Sequence, residues 1–305
     1  MSKRFLSLFL ALLMLLASAP VLAETPAVTV TDMMGREITL AEPATRIVAL
    51  TAADCEILCA LGCEDALVGR GEYCNYPASV LEKPSVQSGY ETNLEQIIAL
   101  EPQVVLMSTM AQTVEQVEAL EQAGIRVVVS DAQNIEGVYT AIRLIGALMG
   151  KDAEAEEMVT GMQAGFADIA AKAGNTGKTI YFEVSPLQWG LWAAGKDTFM
   201  DEIAEICGMT NIFADLTGWV EVSEEQVLVR DPDYIVTTLM YYGEGPTPEE
   251  EIRSRDGWDG LSAVRNGGIF NADGDAITRP GPRLLDAAYA LYEFVNRPAE
   301  EVPAA

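Results

Sequence analysis

Residues 93–106 read NLEQIIALEPQVVL, and 130 positions later residues 223–236 read SEEQVLVRDPDYIV. Each stretch opens with a side chain able to cap a helix N-terminus and a glutamine three positions on, Asn93 with Gln96 and Ser223 with Gln226. An apolar run follows, then an acid and a proline, then β-branched residues. Proline disfavours helix at the residue before it, so Pro102 and Pro232 each close a helix and pass the chain to a strand. A repeated helix–strand unit predicts two comparable α/β lobes. Glu95 and Glu225 hold the same slot in the two copies.

On the N-terminal side, Val28–Thr31 and Glu37–Leu40 alternate around Asp32-Met33-Met34-Gly35 and predict a β-hairpin. Arg46–Leu50 reads as a buried strand, and Thr51 with Asp54 starts a helix that stops at Gly62. Ala66–Gly69 is the next strand and leads into the turn-rich loop RGEYCNYP. A helix over Val114–Ala123 and a strand over Ile125–Val129 complete a first lobe spanning 24–133. From Asn134 to about Ala173 there is almost no helix breaker, and Val138, Ile142, Ile145, Leu148 and Met149 recur at helical spacing. One interlobe helix over 134–174 is expected, with Gly146 and Gly150 as the points where it could divide.

A second lobe over 175–298 follows. It begins with a strand at Thr179–Val184, continues with a helix at Thr198–Cys207, and reaches its final strand at Gly268–Phe270. A polar loop carrying Asp273, Asp275, Arg279 and Pro280 then leads into a last helix over Arg283–Val295, and residues 299–305 read as a tail.

Lys3 and Arg4, the apolar run Phe5–Ala17 and the small residues ending at Ala23 describe a secretory signal over 1–23. No cysteine follows the apolar run to serve as a lipid attachment point, so cleavage near Ala23 is expected to release a soluble exported chain. Losing the leader takes 19 basic residues to 17 against 46 acidic ones, and the net charge from −27 to −29. Such a surface is a poor partner for nucleic acid or anionic membrane. Histidine is absent, which removes Ser-His and Cys-His catalysis and histidine metal sites.

Ligands of open α/β sheets bind beyond the carboxyl ends of the strands. In the first lobe that rule collects Asp54, Cys55, Arg70, Tyr73, Cys74, Tyr76, Tyr90, Ser108 and Thr109; in the second, Trp189, Trp192, Trp219, Tyr241, Tyr242 and Arg279. Aromatic faces with two arginines suit a large chelate bearing carboxylate or catecholate charge. For any single aromatic, core packing competes with a ligand role. Cys55 and Cys59 are one helical turn apart, with Cys63 beyond; buried packing, a Cys55–Cys74 disulfide and a direct ligand role all stay open. Glu249-Glu250-Glu251 reads as a solvated helix start, and no phosphate-cradling glycine loop is present.

Five strings in order, TDMMGREITLAEPATRIVAL, LGCEDALVGRGEYCNYP, NLEQIIALEPQVVL, GWVEVSEEQVLVRDPDYIV and TRPGPRLLDAAYAL, resemble the substrate-binding proteins of ABC importers for ferric siderophores, haem and cobalamin. The resemblance covers nearly all of the chain after the leader. It implies an α/β fold of two Rossmann-like lobes joined by a single long helix, with a ligand cleft between the lobes. It also implies a non-enzymatic receptor, monomeric and without a resident cofactor, that delivers a metal chelate to an ABC permease dimer. A ferric siderophore leads, a corrinoid follows, and haem is third because tyrosine would have to be its axial ligand. Tyr73, Trp219 and Arg279 fall in strings matching cleft-lining segments. Glu95 and Glu225 match the acids that engage permease arginines; helix N-terminal electrostatics is the competing role for both. The alternative is a secreted thiol-dependent enzyme or redox protein using Cys55, Cys59 or Cys74.

Overall fold

A computed structural model describes residues 27–110 and 112–297. The signal over 1–23 and the tail over 299–305 lie outside the described residues. The expected hairpin forms from β1 (Val28–Thr31) and β2 (Glu37–Leu40), paired antiparallel. Asp32 closes its turn by accepting from the Met34 and Arg36 amides, and its second oxygen takes the Val129 amide, tying the hairpin to the first lobe.

The apolar runs of the first lobe become β3 (Ile47–Ala49), β4 (Leu67–Gly71), β5 (Ser85–Val86), β6 (Val104–Met107) and β7 (Arg126–Val129), all parallel in the order β5-β4-β3-β6-β7. The three residues of β3 and the four of β6 are wholly buried, as expected of strands covered on both faces. Helices α1 (Ala52–Ala60), α2 (Leu94–Ala99) and α3 (Val114–Gln122) supply that cover. Strand order reverses between β3 and β6, which opens a crevice where Leu50–Thr51 and Ser108–Thr109 leave the sheet.

The connection is two helices rather than the single one expected over 134–174: α4 (Ile135–Leu148) and α5 (Asp152–Ala173). Gly150, in the left-handed region at φ 64°, ends the first. Arg143 pairs with Glu156 at 2.8 Å, so the chain folds back on itself. Gly146 permits the close approach, because a Cβ there would collide with that of Ala155. Val138, Ile142, Ile145 and Leu148 of α4 are fully buried. Only α5, about 33 Å long at ~1.5 Å per residue, continues to the second lobe.

The second lobe is built on β8 (Lys178–Ser185). Its carboxyl half pairs with antiparallel β9 (Trp192–Ala194), followed by α6 (Phe199–Ile206), and β10 (Met209–Asn211) lies parallel to its amino half. Then come β11 (Trp219–Glu221), antiparallel to β9, α7 (Glu224–Arg230) and β12 (Tyr234–Thr237). Short helices α8 (Pro248–Arg253) and α9 (Ser262–Arg265) precede β13 (Ile269–Asn271). The expected polar loop contains a helix, α10 (Gly274–Thr278), capped by Asp273, and α11 (Leu284–Val295) ends the lobe. At five residues, α10 is too short to show an apolar period. One apolar core runs from β3 through α4 and α5 to α11.

The repeat holds in three dimensions. Asn93 Oδ1 and Ser223 Oγ accept from the Gln96 and Gln226 amides at 3.1 and 3.3 Å. Glu101 and Asp231 both take left-handed backbone, at φ 48° and 41°, before their prolines. Strands β6 and β12 then each lie beside the first strand of their own lobe. The copies differ in one bond: Gln226 closes the capping box on the Ser223 amide, whereas Gln96 accepts from the Gln87 amide instead. The acid run 249–251 is only partly solvated, since Glu251 turns to Arg255, which forks onto buried Glu183 at 2.7 and 2.8 Å.

Candidate functional site

The crevice above β3 and β6 faces the second lobe and encloses a cavity of about 600 Å³. Leu50–Asp54, Tyr73, Ser108–Met110 and Ser130–Gln133 form the first-lobe wall, with Phe199, Trp219 and Thr278–Pro280 opposite. Tyr73, Trp219 and Arg279 therefore meet in one place, although 146 residues separate the first two in sequence. The Tyr73 ring is 77% exposed and free to cover a ligand. Trp219 packs on Phe199 with centroids 5.2 Å apart, and its Nε1–H donates to Gln133 Oε1 at 3.3 Å. These two contacts fix the indole against the cavity wall.

Arg279 departs from the anion-binding fork expected of it. Its Nη1 donates to Glu56 Oε1 at 2.8 Å and Asn75 Oδ1 at 2.7 Å; its Nη2 donates to the Tyr73 carbonyl at 3.1 Å and Asp275 Oδ1 at 2.6 Å. A guanidinium has five N–H groups. Four donations leave only Nε for a ligand, so Arg279 acts chiefly as a bridge between lobes.

Arg283, absent from the sequence-based candidates, joins the same carboxylate at 2.7 and 2.8 Å and stacks over Tyr76 at 4.2 Å. The signal for this cluster was Glu56 itself. An acid inside the apolar helix sequence ADCEILCA requires a buried partner.

Asp54 and Asp131 are the acids of the main cavity. Burial pushes the Asp54 carboxyl up to about 7, against the opposing hydroxyls of Thr51 and Ser130, with Asp131 raising it further. Thr51 Oγ1 donates to Asp54 at 2.5 Å. Asp131, which sequence reading passed over, accepts from the Thr109 hydroxyl at 2.5 Å and Gln133 Nε2 at 3.3 Å. The Thr109–Asp131 bond unites residues from separate loops, which no local spacing reveals.

The remaining candidates divide. Trp189 and Tyr242 line a second cavity of about 330 Å³ at the carboxyl ends of β8 and β12. Tyr90, Trp192 and Tyr241 are exposed but line neither cavity. Arg70 is buried and braces its loop through the carbonyls of Val80, Gly71 and Glu72, away from both cavities. Its strand position placed it near the cleft, but its donors are consumed by backbone.

Cys55 and Cys74 are free thiols. Cys55 touches the thiols of both Cys59 and Cys74, while Cys74 Sγ donates to the Ala49 carbonyl at 3.6 Å. That donation needs the sulfur as a thiol. Among the described residues, no group of three or more Cys, Asp or Glu side chains is placed to hold a metal ion. Glu95 and Glu225 are exposed in the first turns of α2 and α7 and make no ion pair among the described residues.

Three comparisons bear on this geometry. The sequence profile of the family described as "Periplasmic binding protein" matches residues 47–276. An uncharacterised ABC transporter substrate-binding lipoprotein of Bacillus subtilis, YvrC, is 34% identical over 275 residues, covering 88% of this chain and 85% of that one. The vitamin B12-binding protein of Vibrio parahaemolyticus is 27% identical over 258 residues, covering 83% and 90%. Among solved structures, a possible iron-binding (periplasmic solute-binding) protein from Staphylococcus epidermidis superposes with a TM-score of 0.71 at 29% identity, over 84% of this chain and all of the other.

Proposed function

Because the chain belongs to the periplasmic binding protein family and is a substrate-binding component of an ABC transporter, we propose that it captures a metal chelate between its lobes and delivers it to the membrane permease. The observation that carries this reading is the cavity walled by Tyr73 from one lobe and Trp219 from the other. Aromatic walls with a few hydroxyls suit a bulky, partly apolar ligand held without covalent chemistry. The chain is a transport component rather than an enzyme; of the three thiols the enzyme alternative would use, Cys55 and Cys74 are buried and only Cys59 is partly exposed.

A ferric siderophore is the favoured cargo, supported by the iron-binding description of the Staphylococcus epidermidis protein. A corrinoid follows, supported by the vitamin B12-binding relatives. Capture takes place outside the cytoplasmic membrane, and Glu95 and Glu225, one on each lobe, dock the loaded protein onto basic residues of the permease. A titration of intrinsic tryptophan fluorescence with siderophores, cobalamin and haemin tests capture. Saturable quenching that disappears in Trp219→Phe supports the cavity as the site; saturable quenching that survives the substitution places the ligand elsewhere.

A further inference from the structure

The charges around the cleft set a rule for the charge of the cargo, an inference that rests on the capture reading above. Asp54, Asp131 and Arg279 are the only side chains of Asp, Glu, Lys or Arg among the described residues lining the main cavity. Its one cation is already engaged: Glu56, Asn75, the Tyr73 carbonyl and Asp275 take four of its five N–H groups. The second cavity adds Glu183, held by Arg255 with both side chains 2% exposed, and no lining lysine or arginine.

One feature pulls the other way. The N-terminus of α1 borders the cavity, and helix N-termini attract anions. Here the chain answers it internally, because the Asp54 amide donates to Thr51 Oγ1 and the Asp54 carboxyl occupies the first turn. What remains for a ligand is the hydroxyls of Ser88 and Ser108, the accepting lone pairs of Thr109, Ser130 and Thr278, whose protons go to Asp131, Asp54 and the Gly274 carbonyl, and the Tyr73 and Trp219 rings. Hydroxyls both donate and accept, which suits amide, hydroxamate and hydroxyl groups equally. An anionic chelate would find acceptor oxygens and, from the one engaged cation, a single Nε–H of Arg279, inside a chain of net charge −27.

We propose that the cleft selects metal chelates of zero or positive net charge that present hydroxamate or amide groups, and rejects polyanionic ones. Asp131 is the residue that enforces the rule, since its carboxylate faces the cavity and its partners Thr109 and Gln133 are neutral. The sequence expectation of a carboxylate- or catecholate-bearing chelate is thereby reversed, for the reason that both arginines behind it are spent on protein acceptors.

The test is a tryptophan-fluorescence titration of the unmodified chain and of Asp131→Asn. The probes are a neutral ferric trihydroxamate, cyanocobalamin and a trianionic ferric tricatecholate, each at low and at physiological salt. The tricatecholate is expected to bind at least ~100-fold more weakly than the tighter neutral probe. Added salt, which screens repulsion, and Asp131→Asn should each narrow that gap, the substitution by about tenfold. Equal or tighter binding of the tricatecholate overturns the charge rule and leaves capture standing, as does a gap that neither salt nor the substitution moves. Silence of every probe overturns capture itself and the rule with it. The salt series on the unmodified chain keeps the test decisive even where the variant folds poorly.

Discussion

Glu56 of the first lobe and Arg279 of the second meet at 2.8 Å, and the same carboxylate accepts two bonds from Arg283. The Glu56 side chain is 2% exposed, against 12% and 14% for the arginines. One carboxylate thus carries two cations across the lobe boundary, flanked by Asn75 Nδ2 donating to Asp275 at 2.9 Å. The arginine that sequence chemistry assigned to the ligand is held by the protein, directly beside the cavity it lines.

Replacing Glu56 with glutamine leaves two guanidinium groups without their shared charge while changing almost no volume. Breaking one side of a buried ion pair costs on the order of 3 to 5 kcal/mol. Glu56→Gln is expected to lower stability by that amount in urea unfolding and to speed amide exchange in α10, which presents Asp275. Wild-type stability and unchanged exchange would show that the lobes are held by the apolar core alone.

Asp54 gives a pH dependence whose sign follows from its burial. Its carboxyl is raised from 3.8 to about 7 in the folded protein. Below about pH 4 both folded and unfolded forms carry the proton. As pH climbs from about 4 to 7 the unfolded chain ionises first, so stability falls, and the loss is complete above about 7. A rise from 3.8 to about 7 corresponds to roughly 4 kcal/mol at most. Asp54→Asn is expected to be more stable than the parent at pH 8, by on the order of 2 kcal/mol, and to show no such advantage at pH 4. A stability difference that ignores pH removes Asp54 as the titrating group.

How much of this was legible in sequence depends on how local each signal is. The repeat announced two α/β lobes because capping residues, an acid–proline pair and a β-branched run lie within fourteen positions, and each part acts on its neighbours. Gly150 was a visible divider of α4 and α5, but the fold-back depends on Gly146 meeting Ala155 across the hairpin. Tyr73 and Trp219 were reachable from loop position and family resemblance. The engagement of Arg279 was not, since Glu56 lies 223 positions away. Strands β9 and β11, three residues each, are too short for alternation to register.

The thiols separate a binding protein from a redox one. Cys55, Cys63, Cys74 and Cys207 are buried, and burial pushes Cys207 up to about 12. Cys59 is only partly buried, and its contact with Cys55 lowers its thiol below the ordinary value. Brief alkylation of the native protein is therefore expected to label Cys59 first, with the other four reacting only on unfolding. Peptide mapping that finds Cys74 labelled as fast as Cys59 would restore the case for a reactive thiol beside the cleft.

Glu95 and Glu225 provide the clearest separation of docking from capture. Each is exposed in the first turn of its helix, where a carboxylate favours the helix N-terminus, and neither lines a cavity. Removing both should therefore leave chelate affinity within about twofold, because rim charges far from a ligand act weakly through screened solvent. Transport through the intact permease should instead fall, further for Glu95→Lys with Glu225→Lys than for the two alanines, since reversal adds repulsion where basic permease residues lie. Complementary acids on the permease should recover part of the loss in the lysine pair. A double variant that loses chelate affinity yet binds permease normally would move these glutamates from the docking face to the ligand, and a variant that only melts earlier would leave them as helix caps.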